Sequence, residues 1–400
     1  MANYNYDICI IGAGAGGLSV AAGACQFGIK VALIEGHNMG GDCLNYGCVP
    51  SKALLSSAKH YHAIKESAKF GFSAQAQPVI IKQVMAKVQE VIAQIAPHDS
   101  VERFTQLGAT VYRGYGSFVD EQSVKVNEDT ISAKYFIIAT GSSPVVHPIP
   151  GLNEVSYLTN ETIFNLQATP EHLVVIGGGP IGCELAQAFL MLGIKVSLLN
   201  LGKILPRDEI DLVAELRQNM LNQGLNLYED IQIIKISSGT AGQIEISVEI
   251  GGKEQIISGS HLLVATGRKV NIDKLNLSAA GIEHTPRGIQ VDERLRTSNK
   301  KVFAIGDVAG GYQFTHIAGY HAGIVIRNII FRQRAKVNYQ AVPWVTYTYP
   351  ELAHVGLLES EAHAKYSDNI TISEFEYKEN DRAQAERALH GKIKLITTKK

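Results

Sequence analysis

Two cysteines, Cys43 and Cys48, stand five positions apart in the run Met39-Gly-Gly-Asp-Cys-Leu-Asn-Tyr-Gly-Cys-Val-Pro-Ser-Lys52. Thiols at this spacing could carry out disulfide exchange, if the chain lets them meet. In an unbroken helix their Cα atoms would lie about 8 to 9 Å apart, given a rise of about 1.5 Å per residue, and a disulfide spans at most about 7 Å. A bond between them therefore requires the segment to leave helical geometry, and Gly47 offers the backbone freedom to do so. Pro50 suits the first turn of a helix through Ala53, Leu54 and Leu55, so Cys48 is expected near a helix N-terminus, where a thiolate is favoured. Lys52 would share that helical face and add its charge. Cys9, Cys25 and Cys183 lie in apolar or small-residue stretches and read as buried hydrophobes. The same inert role is open to Cys43 and Cys48. Zinc is a further alternative, but no second pair of Cys or His ligands at metal spacing accompanies them, and no metal site is expected.

The elements that would position such a pair show as an internal repeat. Cys9-Ile-Ile-Gly-Ala-Gly-Ala-Gly-Gly17 continues to Gly28-Ile-Lys-Val-Ala-Leu-Ile-Glu35, and Val175-Ile-Gly-Gly-Gly-Pro-Ile-Gly-Cys183 continues to Gly193-Ile-Lys-Val-Ser-Leu-Leu-Asn200. Each copy is an apolar strand, a G-x-G-x-x-G turn, a helix of small residues and a second strand ending in a polar residue. These are two βαβ units. Gly12 and Gly177 would permit the tight turn, Gly14 and Gly179 would let backbone N–H groups approach a pyrophosphate, and Gly17 and Gly182 would let helix pack on strand. A second duplication follows: the strands Tyr135–Ser143, with Thr140 and Gly141, and His261–Lys269, with Gly267 and Arg268, both pass through Ala-Thr-Gly and would close the two units. Val302-Phe-Ala-Ile-Gly-Asp307 ends with a carboxylate at a Gly turn, which makes Asp307 a candidate acceptor for ligand hydroxyls or simply a turn residue. Glu35 stands where an acid accepts hydrogen bonds from a ribose diol. Asn200 holds the matching place in the second unit and would not repel a 2′-phosphate, and with Lys203 and Arg207 close by, both NAD and NADP are admissible there.

Composition limits the alternatives. The chain has 400 residues, 46% of them apolar and 19% charged, with a net charge of −1. That length suggests two or three domains, and the apolar fraction excludes disorder for most of the chain. Without a cationic surplus, nucleic acid is not an expected partner. No apolar segment approaches the roughly 20 residues that would span a bilayer. Met1 to Tyr6 lead into a strand rather than a signal peptide, and an odd set of five cysteines does not make a secretory framework, so the cytoplasm is the expected compartment.

Taken in order, the first glycine turn with Glu35, the Gly-Gly-Asp-Cys-Leu-Asn-Tyr-Gly-Cys-Val-Pro-Ser-Lys run, the second glycine turn, Ala-Thr-Gly-Arg and Ala-Ile-Gly-Asp resemble the flavin-dependent pyridine nucleotide-disulfide oxidoreductases, in the branch of dihydrolipoamide dehydrogenase and mercuric reductase. The resemblance covers essentially the whole chain. It implies an α/β fold with two Rossmann-like dinucleotide-binding domains and an incomplete α+β C-terminal dimerisation domain. The order would be FAD-binding over 1–146, NAD(P)-binding over 147–270, a return to the FAD domain over 271–340 and part of the dimerisation domain over 341–400. FAD would rest on Gly12, Gly14, Gly17, Glu35, Gly41, Lys52, Thr140 and Gly141, with Asp307 on the ribityl chain. NAD(P)H would rest on Gly177, Gly179, Gly182, Asn200, Lys203, Gly267 and Arg268. Cys48 would be the thiol facing the flavin, Cys43 the interchange thiol that meets the acceptor, and Lys52 would pair with Glu184.

The resemblance further implies a homodimer acting on a small-molecule electron acceptor or a disulfide, in the manner of dihydrolipoamide dehydrogenase or, alternatively, of mercuric reductase; the rival is a non-catalytic remnant that keeps both nucleotide sites. Val342-Pro-Trp-Val-Thr-Tyr-Thr-Tyr-Pro-Glu351 resembles the start of the dimerisation domain. The family's later His-Pro-x4-Glu motif does not occur before Lys400, and His147-Pro148 sits in a proline-rich linker instead. Lipoamide turnover is accordingly expected to be weak. His390–Thr397 alternates apolar and polar residues as a half-buried strand should, with an exposed edge and apolar face.

Overall fold

A computed structural model of the chain describes residues 4–399; its elements are numbered along the chain. The contacts divide it into two units, one of Met1–Pro50, Gln89–Val145 and Arg268–Asn338, the other of Ser51–Val88, Val146–Gly267 and Tyr339–Lys400.

The first unit starts with β1 (Tyr6–Ile11), α1 (Ala15–Gln26) and β2 (Val31–Glu35). β1 pairs in parallel with β2 on one side and with β6 (Asp129–Ile138) on the other, and β3 (Thr110–Arg113) extends the sheet beyond β2. β4 (Ser117–Asp120) and β5 (Ser123–Val126) continue it as an antiparallel meander, and β18 (Val302–Ala304) joins β6 in parallel. β1 is buried on both faces. Its Ile8 and Ile10 join Leu18, Phe104, Ile137 and Val325 in one core, while Cys9 and Ile11 join Ile34, Phe118, Phe136 and Ile138 in the other. A strand covered on both faces needs a continuous apolar run, and this is why β1 shows no alternation.

The remaining elements of this unit carry the functional loops. α2 (Gly41–Asn45) and the first residues of α3 (Cys48–Lys65) follow β2; α5 (Val101–Gln106) precedes β3; β7 (Ser142–Pro144) pairs with β15 (Arg268–Val270), and β16 (His284–Thr285) with β17 (Gly288–Ile289). α8 (Thr315–Ile329) packs on α1, where a Cβ on Gly23 would meet the Ile326 Cδ1 at 2.6 Å. Close helix approach therefore explains that glycine.

In the second unit, β8 (His172–Ile176), α6 (Pro180–Met191) and β9 (Lys195–Leu199) repeat the opening motif. The parallel sheet runs β10 (Asn226–Tyr228), β9, β8, β14 (His261–Val264). Beside it lies an antiparallel meander of β11 (Gln232–Ser238), β12 (Ile244–Ile250) and β13 (Lys253–Gly259), whose inner residues Ile236, Ile246, Val248 and Ile257 share a core with Val174 and Val264. α7 (Ile210–Asn222) joins β9 to β10, and α4 (Ile81–Ile95) starts here before running into the first unit.

The last stretch contains β19 (Pro343–Thr346), β20 (Leu352–Val355), α9 (Glu359–Tyr366), β21 (Ile370–Glu376), α10 (Asp381–Ala385) and β22 (Lys392–Thr398). Trp344 donates its indole N–H to Asp208 Oδ1 at 2.8 Å and stacks on His354 at a centroid distance of 4.0 Å. β22 pairs antiparallel with β21 and has the alternation read from sequence. Lys394 points to one side, where Asp211 and Glu359 oxygens lie 2.9 and 2.7 Å from its Nζ, and Phe375, Ile393 and Leu395 are exposed on the other. Among the described residues no helix is long and apolar enough to cross a membrane.

Candidate active site

Each glycine turn is fixed by contacts that exclude any side chain. Gly12 has a φ of +107°, and a Cβ there would lie 2.4 Å from the Ala139 carbonyl oxygen; at Gly17 a Cβ would lie 1.9 Å from the Gly12 oxygen. Gly177, at φ +117°, and Gly182 repeat this against Ala265 and Gly177, at 2.3 and 1.8 Å. The Ala-Thr-Gly duplication thus has a steric cause: its alanine carbonyls press on the first glycine of each turn. Gly14 and Gly179 differ. Both have ordinary extended backbones, a Cβ at Gly14 would meet only the Gly41 Cα at 3.8 Å, and one at Gly179 would meet nothing within 4 Å. α1 and α6 start there without a side-chain cap, leaving helix N-terminal N–H groups facing open space, as a dinucleotide pyrophosphate requires. These cradles fit FAD and NAD(P).

At the end of β2 the buried Glu35 accepts hydrogen bonds from the Ala13 and His37 N–H groups, both at 2.6 Å. Asn200 does the matching job at the end of β9, its Oδ1 accepting from the Gly178 N–H at 2.8 Å. Its Nδ2 donates to the Gly202 and Lys203 carbonyls at 3.0 and 2.9 Å. Lys203 is engaged as well, with its Nζ 2.6 Å from Asp230 Oδ2 and 3.7 Å from Glu229 Oε2. Arg207 is exposed.

The cysteine loop docks directly on the first turn. The Gly40 N–H donates to the Ala13 carbonyl at 2.9 Å, and a Cβ on Gly41 would lie 2.7 Å from the Gly14 Cα. Cys43 follows in α2, the helix breaks at Tyr46, with φ −140° and ψ −7°, and Cys48 is the first residue of α3. The chain thus leaves helical geometry between the two cysteines, as a bond between them demands. Gly47 does this for a different reason than the sequence suggests. Its φ is not left-handed; a Cβ there would strike the Asp42 carboxylate at 2.8 Å, so the glycine makes room rather than a turn.

The structure has no disulfide between Cys43 and Cys48, which are electrostatic neighbours on the two sides of the helix break. The neighbouring Cys48 side chain, together with burial, pushes the Cys43 thiol well above its ordinary value. Thr315 Oγ1, in the first turn of α8, lies 3.2 Å from the Cys48 sulfur. Cys48 therefore sits at the start of its own helix and against the start of another. Sequence reasoning missed Thr315, because 267 residues separate it from Cys48. Cys9 and Cys183 are fully buried, as expected of inert thiols, and Cys25 packs partly buried against the first core.

A polar network links this loop to the Asp307 turn. Ser142 Oγ donates to Asp307 Oδ2 at 2.5 Å, and Arg268 donates to Ser142 through Nε and Nη2, each at 2.7 Å. The same guanidinium lies 3.1 Å from Asp42 Oδ1. Burial pushes the Asp307 carboxyl up, against the opposing hydrogen bond from Ser142 and the charge of Arg268. Arg268, read from sequence as a nicotinamide-nucleotide residue, is thus bonded to groups of the first unit, whereas Gly267 closes the second. Thr140 and Gly141 are held by Asn271: Thr140 Oγ1 donates to its carbonyl at 2.7 Å and its N–H donates to the Gly141 carbonyl at 3.0 Å.

In the second unit Lys52 Nζ lies 2.8 Å from Glu184 Oε2 and 4.3 Å from the centre of the Tyr347 ring. The other Glu184 oxygen accepts the Tyr347 N–H at 2.9 Å. One turn along α6, Gln187 accepts from the Tyr349 N–H and donates to the Tyr349 carbonyl, both at 2.7 Å. Glu184 and Gln187 thus clamp the 347–349 segment that fixes Lys52 from above.

The pyridine nucleotide-disulphide oxidoreductase family profile matches residues 6–322, and that of the family's dimerisation domain matches residues 342–400. A mercuric reductase of Bacillus cereus is 37% identical over 100% of this chain, which spans 63% of that relative's length. A dihydrolipoyl dehydrogenase of Staphylococcus aureus is 35% identical over 98% of the chain and 84% of its own. Among solved structures, the HOCl-induced flavoprotein disulfide reductase RclA from Escherichia coli superposes with a TM-score of 0.87 at 27% identity, covering 98% of this chain and 87% of the other. With two glycine cradles, an α/β fold and similarity along the whole of this chain in agreement, it belongs to the pyridine nucleotide-disulphide oxidoreductases, a family of FAD- and NAD(P)-dependent flavoproteins.

Proposed function

We propose that the chain is an FAD-dependent NAD(P)H oxidoreductase that reduces a disulfide, of the dihydrolipoyl type, through Cys43 and Cys48. The observation that carries this reading is the cysteine pair on either side of a helix break, on a loop anchored to the first glycine turn, with Thr315 against Cys48. Bound FAD would pass two electrons from the nicotinamide nucleotide to the disulfide form of the pair. As the S–S bond breaks, Cys43 takes up one proton and Cys48 is left as thiolate, stabilised by the α3 and α8 N-termini and the Thr315 hydroxyl. Cys43 gives its proton to the leaving sulfur as it attacks the acceptor disulfide, forming a mixed disulfide and releasing one thiol. The Cys48 thiolate then attacks the Cys43 sulfur, releasing the second sulfur as a thiolate that takes a proton from solvent, and restoring the disulfide. Within the second unit, the Glu184 carboxylate fixes the Lys52 ammonium.

A mercuric ion is the second reading, favoured by the mercuric reductases among the relatives. Dithionite titration tests the main one: a working pair takes up four electrons per FAD with a long-wavelength absorbance midway, and Cys48→Ser keeps FAD but loses that band. Uptake of two electrons without the band would instead mark a nucleotide-binding protein without redox thiols. Turnover with lipoamide against mercuric ion, with NADH and NADPH in turn, decides the acceptor. The domain order of the family and its dimer belong to the same proposal.

A further inference from the structure

Arg268 Nη2 lies 3.1 Å from Asp42 Oδ1 while the same Nη2 and Nε donate to Ser142, and its side chain is only 12% exposed. Asp42 directly precedes Cys43, and its carboxylate fills the space that Gly47 leaves open inside the loop joining the cysteines. A negative charge in that place opposes ionisation of Cys43 and of Asp307 alike. One guanidinium therefore serves two acids, Asp42 directly and Asp307 at 4.0 Å and through Ser142.

We propose that Arg268 is a positioning residue for the thiol pair, setting through Asp42 how readily Cys43 gives up its proton. The groups that face Cys43 are Cys48 from α3, the Thr315 hydroxyl from α8 and Asp42 from its own helix, with Arg268 on β15 and Asp307 behind Asp42. Of these, Asp42 alone is an acid beside Cys43 that carries its own counter-charge. Neutralised by Arg268, it leaves Cys43 able to ionise and attack; released from Arg268, it would hold the proton on Cys43 more tightly. This rests on the disulfide-reductase reading for its purpose, but the ionisation of Cys43 can be measured without turnover or acceptor.

The test is the pH dependence of iodoacetamide alkylation at Cys43, followed by peptide mass in the purified, dithiothreitol-reduced protein with its bound flavin. Arg268→Met should raise the midpoint by about half to one pH unit and Asp42→Asn should lower it by a similar amount. In the double variant the Arg268 effect should vanish, because the arginine acts through Asp42. An unchanged midpoint in Arg268→Met overturns the proposal, as does an Arg268 effect of equal size in the Asp42→Asn background, which would mean direct action on the sulfur. Should Arg268→Met fail to fold, Asp42→Asn decides alone: an unmoved midpoint overturns the proposal. Failure of the disulfide-reductase reading would show separately, as two-electron uptake in the wild-type titration.

Discussion

The two glycine turns are crowded by the same atoms. In each, the third glycine lies against the carbonyl of the first, the first lies against the alanine carbonyl of an Ala-Thr-Gly strand, and the parallel neighbours follow one order, β3-β2-β1-β6 and β10-β9-β8-β14. The turns differ at the tip of the second strand. Glu35 is a buried acid with both oxygens on backbone N–H groups; Asn200 is an amide whose nitrogen is spent on two carbonyls, beside a lysine already paired with Asp230. The glycine turn is thus set by backbone sterics and is copied unchanged, whereas the tip of the second strand is a single side chain and is free to diverge. A second difference is an addition: the first unit has β18 and α8, which bring Asp307 and Thr315, and the sheet of the second has no such strand among the described residues.

Breaking the shared part should have the largest effect. Gly17→Ala and Gly182→Ala each force a Cβ into a carbonyl, at a cost on the order of 3 kcal/mol. Gly17→Ala should purify without flavin, and Gly182→Ala should keep its flavin but lose NADH binding in a fluorescence titration. Wild-type NADH affinity in Gly182→Ala would show that the turns are not equivalent.

The added part of the first unit has its own signature. His321 on α8 is buried and accepts the Gly306 N–H at 3.1 Å, and burial holds it at about 4, below the ordinary histidine value. A group whose folded value is depressed in this way stays neutral while the unfolded chain takes up a proton. Stability present above about pH 6.5 is then lost as pH falls toward about 4, by about 3 kcal/mol in all. Urea midpoints across this range should fall in the wild type and stay flatter in His321→Gln; parallel curves would place the loss elsewhere.

Two substitutions sharpen the difference between the ribose readers. Asn200→Asp puts an acid where the first unit has one, and should weaken NADPH relative to NADH about tenfold, or about 1.4 kcal/mol. Asp230→Asn leaves Lys203 only the longer contact with Glu229 and should improve NADPH affinity a few-fold with NADH unchanged. Equal changes for both nucleotides would mean that Lys203 faces away from the 2′ position.

The sequence made both βαβ units visible because their glycines answer to local backbone contacts, which keep a fixed spacing along the chain. Glu35 and Asn200 were legible for the same reason, each lying one strand beyond its turn. The helix start at Cys48 followed from Pro50. What stayed hidden depends on partners distant in sequence: Thr315 at Cys48, Arg268 at Asp42, and Asp230 at Lys203, where a charge that looked available is already matched. Gly47 was noticed, but the carboxylate it makes room for could not be inferred from the loop alone.

Trp344 is the only tryptophan in the chain. With its N–H on a buried carboxylate and its ring stacked on His354, it is partly buried and held in one setting within the second unit. Loosening of the β19–β20 hairpin would free the indole into water and shift its emission to longer wavelength. The protein therefore contains a single tryptophan gauge, placed on the β19–β20 hairpin, and the integrity of that segment can be followed without a label.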